Sequence, residues 1–310
     1  MDKTLIILGA GASKDFCSIF PTGLELIKDI NYHFFNEKNE KGDYLSSLMN
    51  QIAAEFKHDE KLFRQIKKQL WRSQLDYEWC SMRNRTVNIS IDNFINAQIT
   101  KGTLDAKAGD IVKYSIYYLI KGVEQAYAER GDDDKKNWMK ILSEKLAKFD
   151  FDDISENLKV LTLNYDRTFE LYFTKYLGLS SEQAVFFRKN NVKHLYGCLG
   201  HLDEIPFCLE NDKVKTFKDK YKRIKLIDDR NEMELPITDT ETYRKVHFLG
   251  FGYDETNLKL INLNQFPSAS LAGTAYNFSL PHIKQLKEKY NINIEDEKTT
   301  CIDYVSNLNI

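Results

Sequence analysis

The sequence predicts an α/β fold built on a parallel sheet and carrying a large helical insertion, and three observations support that expectation. Apolar, β-rich runs stand at Thr4 to Leu8, Leu158 to Leu163 and Val246 to Leu249. Unbroken runs of this length suit strands covered on both faces, as in a parallel sheet flanked by helices. Each run ends in glycine or short polar residues: Gly9-Ala10-Gly11, Asn164-Tyr165-Asp166 and Gly250-Phe251-Gly252. Ligands of open parallel sheets bind beyond the carboxyl ends of the strands, which is where these residues would stand. Thirdly, the stretch 36–150 reads as helix, with Leu45, Leu48, Ile52, Phe56 and then Leu62, Ile66, Leu70 at three-to-four spacing.

The elements follow in order. The first strand passes through Gly9 to Ser13 into a helix, and Phe20-Pro21-Thr22-Gly23-Leu24 opens the next one. Helical periodicity covers about Asp105 to Glu129 and Lys135 to Phe149, separated by the polar loop Gly131-Asp132-Asp133-Asp134. After Asp166, the spacing of Phe169, Tyr172 and Tyr176 marks a helix, so strand, polar turn and helix succeed one another as in a βα unit. Val192 to Tyr196 reads as one more short strand. The whole chain, 1–310, is expected to form a single domain, with 36–150 as the insertion.

Bulk composition narrows the function. The chain holds 44 Lys+Arg against 46 Asp+Glu, a net charge of -2, which gives no global electrostatic reason to bind nucleic acid or an anionic membrane. Seven basic residues do cluster at Lys213, Lys215, Lys218, Lys220, Lys222, Arg223 and Lys225, around Phe217 and Tyr221; a solvated helix or lid is the plainer reading, a basic face for a nucleic acid or an acidic partner the other. The five cysteines lie far apart without a Cys-x-x-Cys pair, which points away from a zinc ribbon and from a disulfide framework. No apolar stretch approaches the roughly 18 residues of a membrane span, and the N-terminal run is too short for a signal peptide. A cytoplasmic protein without a metal is expected.

Gly9-Ala10-Gly11-Ala12-Ser13 directly after a strand lets backbone N–H groups approach a phosphate near a helix start, and Ser13 adds a hydroxyl. This is the Rossmann-like arrangement, although the third glycine of the dinucleotide fingerprint is missing and many strand ends use Gly-x-Gly merely to turn tightly. Asn164 and Asp166 can orient water and sugar hydroxyls. They can equally close a βα turn by themselves.

Taken with Pro21-Thr22-Gly23, Asn164-Tyr165-Asp166, His194-Leu195-Tyr196-Gly197 and Gly250-Phe251-Gly252 in this order, the chain resembles, over nearly its whole length, the sirtuin-like NAD hydrolases of prokaryotic antiviral defence. The resemblance implies a pyrophosphate held by Gly9, Ala10, Gly11, Ala12 and Ser13, and a cofactor loop at Pro21, Thr22 and Gly23. It implies that Asn164 orients the ribose or water and Asp166 the nicotinamide carboxamide. Asp92, within Ser90-Ile91-Asp92-Asn93-Phe94, would lie near the site, and Gly250, Phe251, Gly252, Gly273 and Thr274 would flank the adenosine half. NAD is the implied substrate or ligand; a homo-oligomer or a defence partner such as a hexameric ATPase or a short Argonaute is the implied assembly.

One position departs from that family. A histidine directly before glycine usually serves as general base, and here Tyr196 precedes Gly197. Tyrosine, with an ordinary pKa of about 10, is a poor base near neutrality. His194 lies two residues earlier on the same strand face, roughly 6 to 7 Å away, and His201 sits in a loop. The activity that the resemblance implies is release of nicotinamide and ADP-ribose from NAD. The alternative is a subunit that binds NAD or ADP-ribose without turnover; protein deacylation ranks third, because the zinc module of the deacetylases is missing.

Overall fold

The computed structural model describes residues 1–35, 47–57, 60–68, 71–72, 106–130, 136–207, 219–225 and 237–310. Six parallel strands form one sheet in the order β3-β2-β1-β4-β5-β6: β1 Thr4–Leu8, β2 Leu158–Thr162, β3 Val192–His194, β4 Lys245–Leu249, β5 Ser270–Gly273 and β6 Asn293–Ile294. This is a Rossmann-like α/β fold with the strand order of the dinucleotide-binding sheet. The runs read as strands in the sequence are β1, β2, β3 and β4.

Alternation along each strand sends side chains to opposite faces. Leu5 and Ile7 of β1, Leu161 of β2 and Val246 and Phe248 of β4 pack on one face against α2 (Gly23–Phe35), α3 (Ser47–Phe56) and α4 (Ala106–Arg130). Ile6, Leu8, Val160 and Leu249 pack on the other, against α5 (Trp138–Leu146), α7 (Thr168–Tyr176), α8 (Ser181–Asn191) and α11 (Cys301–Asn307). The stretch 36–150 therefore divides. Its helices α3 and α4 cover the first face, whereas α5 belongs to the second, where the buried Trp138 donates from Nε1 to the Ala12 carbonyl at 2.9 Å. Asn137 starts α5 by accepting the Lys140 amide at 3.0 Å.

Further α-helices are α1 (Ala10–Phe16), α6 (Phe151–Asn157), α9 (Glu255–Ile261) and α10 (Leu280–Tyr290). Among the described residues no helix is long and apolar enough to cross a membrane. Of the basic segment, 213–218 lies outside the described residues. Beyond it Tyr221 and Ile224 are buried against the first face, Lys222 pairs with Asp219 and Arg223 with Glu204, both at 2.6 Å.

Candidate functional site

Sheet register decides which residues meet. Leu8 stands opposite both Thr162 and Leu249, Thr162 opposite His194, and Phe248 opposite Gly273. The segments after these residues emerge on one edge. Gly9–Ser13, Asn164–Asp166, Leu195–Gly197, Gly250–Gly252 and Thr274 thus converge although they are scattered over most of the chain.

Beside β1 and β2 the convergence builds a buried polar network. Ser13, on α1, donates its hydroxyl to Asp166 at 2.9 Å to Oδ2 and 3.1 Å to Oδ1, across 153 positions of sequence. Asn164 donates from Nδ2 to the Gly9 carbonyl and to Ser13 Oγ, each at 3.0 Å. Because the Gly9 carbonyl only accepts, this bond fixes which way the amide points. The other end of the amide, Asn164 Oδ1, is buried and has no hydrogen-bond partner among the described residues. Asp166 also accepts the Thr168 amide at 3.1 Å, and burial pushes its carboxyl above the usual carboxylate range.

His194 stands behind this network with both ring nitrogens engaged. Nδ1 lies 2.8 Å from the Asn164 carbonyl and Nε2 2.5 Å from Glu170 Oε1. A carbonyl and a carboxylate can only accept, so both nitrogens carry protons and the ring is an imidazolium. Burial lowers its pKa, and Glu170 outweighs burial and raises it to about 10. Burial raises Glu170 in turn, and the His194 charge brings it below its ordinary value. His194 is thus a clamp on the Asn164 main chain and holds no lone pair for proton abstraction.

This pair yields a pH prediction. Stabilisation by His194 is complete below its ordinary 6.5 and is lost as pH rises through about 10; that by Glu170 is present above 4.5 and is lost as pH falls. In Glu170→Gln the raising contributions of the carboxylate are gone, and burial, the largest cause, lowers the His194 pKa against the bond to the Asn164 carbonyl and favours the neutral ring in the folded chain. The variant should then lose more stability than the native chain as pH drops from about 7 to about 5, on top of the loss that His247, held by burial at about 4, gives both proteins, as urea unfolding at a series of pH values would register. Parallel profiles in the two proteins would refute the ion pair.

Tyr196 is buried and donates its hydroxyl to Asn257 of α9, bridging the β3 edge to the segment after β4. Gly197 follows at φ +70, where an added Cβ would sit 1.9 Å from the Arg223 carbonyl oxygen. The residues 221–225 therefore lie directly on this turn, with the Lys225 amide bonded to the Tyr196 carbonyl at 2.8 Å.

The glycine turns pack on each other. Gly9 N–H donates to the Leu249 carbonyl and Gly11 N–H to that of Gly250, both at 3.0 Å, and Ala12 N–H returns to Gly9 at 2.9 Å. Gly250 N–H reaches Thr274 Oγ1 at 2.9 Å, and Phe251 is buried. A Cβ on Gly273 would meet the Phe248 carbonyl and the Tyr253 hydroxyl at 2.5 Å. Close contact of two loops thus explains these glycines. Gly252 is exposed and Ala10 half-buried on the same edge.

Pro21-Thr22-Gly23 enters α2 through a capping box that the sequence reading missed, although Thr-x-x-Glu was its signal. The Thr22 amide and hydroxyl donate to Glu25 Oε2 at 2.8 and 2.9 Å, and Lys14 ties Glu25 to α1 at 2.5 Å. Asp92 lies outside the described residues.

Arg167, next to Asp166, also escaped the sequence reading. Its guanidinium forms a two-pronged pair with Glu124 of α4, from Nε to Oε1 at 3.1 Å and from Nη2 to Oε2, and its own amide reaches Oε1 at 3.0 Å. Nη1 holds the carbonyls of Gly200 and Ile205, so one side chain joins the Asp166 turn, α4 and the loop 200–207. Nothing in an amphipathic helix marks Glu124 as the partner of a residue 43 positions away. Among the described residues no group of three His, Cys, Asp or Glu side chains is arranged to hold a metal ion. No family model matches the chain, and no curated protein matches it.

Proposed function

We propose that the chain is a sirtuin-like NAD hydrolase, which adds water across the nicotinamide–ribose bond and releases nicotinamide, ADP-ribose and a proton. The observation that carries this reading is the unpartnered Asn164 Oδ1, buried at the carboxyl edge of a sheet with dinucleotide-binding order. A buried acceptor without a donor is costly, and a ribose hydroxyl or an attacking water supplies the donor. Bond cleavage develops positive charge on the ribose. Fixed dipoles that need no rearrangement lower the barrier to that charge, and the Ser13–Asn164–Asp166 network is such a set.

A second reading has its own support. His194 has no free lone pair, and Tyr196 gives its hydroxyl to Asn257, so neither stands ready as a base. On this reading the chain binds NAD or ADP-ribose and turns nothing over. Both readings carry the same cellular proposal: a cytoplasmic defence component, working as a homo-oligomer or with a partner protein.

Nicotinamide release from NAD separates them. The native chain should release it, and Asn164→Ala should slow release by about 100-fold or more. Silence from the native chain with activity in Tyr196→His would establish the binding subunit instead, and release unaffected by Asn164→Ala would remove Asn164 from the site.

A further inference from the structure

Beside the edge strand β3 lies a cavity of about 230 Å³ whose wall includes Glu170, Lys189, Lys193, His194 and Cys198. It shares His194 with the network above and none of Ser13, Asn164 or Asp166. Its charges do not cancel. Arg188 is offset by Asp203 at 2.9 Å and His194 by Glu170 at 2.5 Å. Lys193 touches only a neutral group, the Lys189 carbonyl, at 2.6 Å, and the Lys189 ammonium makes no hydrogen bond or ion pair among the described residues. Glu170, one of the wall residues, also has a buried oxygen, Oε2, without a hydrogen-bond partner among the described residues. A cavity smaller than the roughly 300 to 1,000 Å³ of drug-sized sites suits a small metabolite.

We propose that this cavity binds a small anion that also carries hydroxyl groups, of the sugar-phosphate class, with the anion between Lys189 and Lys193 and a hydroxyl donating to Glu170 Oε2. Each half of that ligand answers one feature of the wall: excess positive charge beside an unpaired carboxylate oxygen. A plain anion would leave Glu170 Oε2 without a donor, and a neutral sugar would leave the lysines unanswered.

The test is calorimetric titration of the full chain with ribose 5-phosphate, with inorganic phosphate and ribose as separate probes. Lys189 is exposed on α8, so Lys189→Ser spares the core, and Lys284→Ser on α10 controls for general charge. Ribose 5-phosphate should bind more tightly than either probe, and Lys189→Ser should weaken it by about tenfold while Lys284→Ser and Asn164→Ala leave it unchanged. The absence of binding, or equal binding of phosphate alone or ribose alone, would overturn the proposal. So would binding that Lys189→Ser leaves intact, and binding that only Asn164→Ala abolishes would place the sugar phosphate in the nucleotide cleft.

Discussion

Replacing Glu124 by glutamine is expected to cost about 3 to 5 kcal/mol of folding stability, because it strands a buried cation. The Glu124 and Arg167 side chains are 0 % and 1 % exposed. Both carboxylate oxygens of Glu124 are used, by the Arg167 guanidinium, by its amide and by Lys121 at 3.4 Å. Glutamine keeps one acceptor and turns an NH₂ group toward a guanidinium that can only donate. Urea unfolding of the two proteins at neutral pH measures the difference, and a loss under about 1 kcal/mol would show that water or another group takes over the charge. Glu124→Leu with Arg167→Met should recover only part of the loss, since it removes the stranded guanidinium but leaves Lys121, the Arg167 amide and the Gly200 and Ile205 carbonyls without these partners. The same substitution loosens the turn that presents Asp166, so under the proposed NAD hydrolase function nicotinamide release should fall with Glu124→Gln even in protein that remains folded.

Gly250→Ala is expected to prevent the two strand-end loops from closing, with a loss above about 4 kcal/mol or failure to fold. Two causes add. The φ of +56 is unfavourable for any residue with a Cβ, and the new methyl would lie 1.9 Å from the Ala12 nitrogen and 2.2 Å from the Gly11 carbonyl carbon. Main-chain atoms of α1 cannot step aside as a flexible side chain would. Gly122→Ala is the internal comparison: it lies within α4 with nothing inside 4 Å, and alanine there should raise stability by about 0.5 to 1 kcal/mol. Thermal unfolding of both variants reads the contrast, and a Gly250→Ala protein as stable as the native chain would remove the interlocked loops from the account of these glycines.

Local rules sufficed for the parts of the molecule whose stability is local or periodic. Leu5 to Leu8 are apolar on both faces because helices cover both faces, and such a run is visible without knowing what covers it. The polar residues after β1, β2 and β4 were legible as strand ends, and parallel pairing alone places all of them on one edge. β5 and β6 escaped because Ser270–Gly273 and Asn293–Ile294 are too short for alternation to stand out; their strand state comes from the neighbour they pair with. The division of 36–150 between two sheet faces escaped for a related reason, since an amphipathic helix records that it has a buried side and not what that side meets.

Chemistry at the site was settled by contacts between distant segments. His194 reads as a free histidine near a strand end, and only the approach of Glu170 and of the Asn164 carbonyl makes it an imidazolium. Gly9 and Gly11 read as a phosphate cradle and Gly250 as a flank of the adenosine half, whereas the folded chain also fills their missing Cβ positions with its own backbone. Arg167 and Glu124 carry no sequence signal that joins them. Composition and periodicity specify how each segment folds against an unspecified apolar partner, but protonation state, amide orientation and ion pairing depend on angstrom-scale distances that exist only after the segments have met.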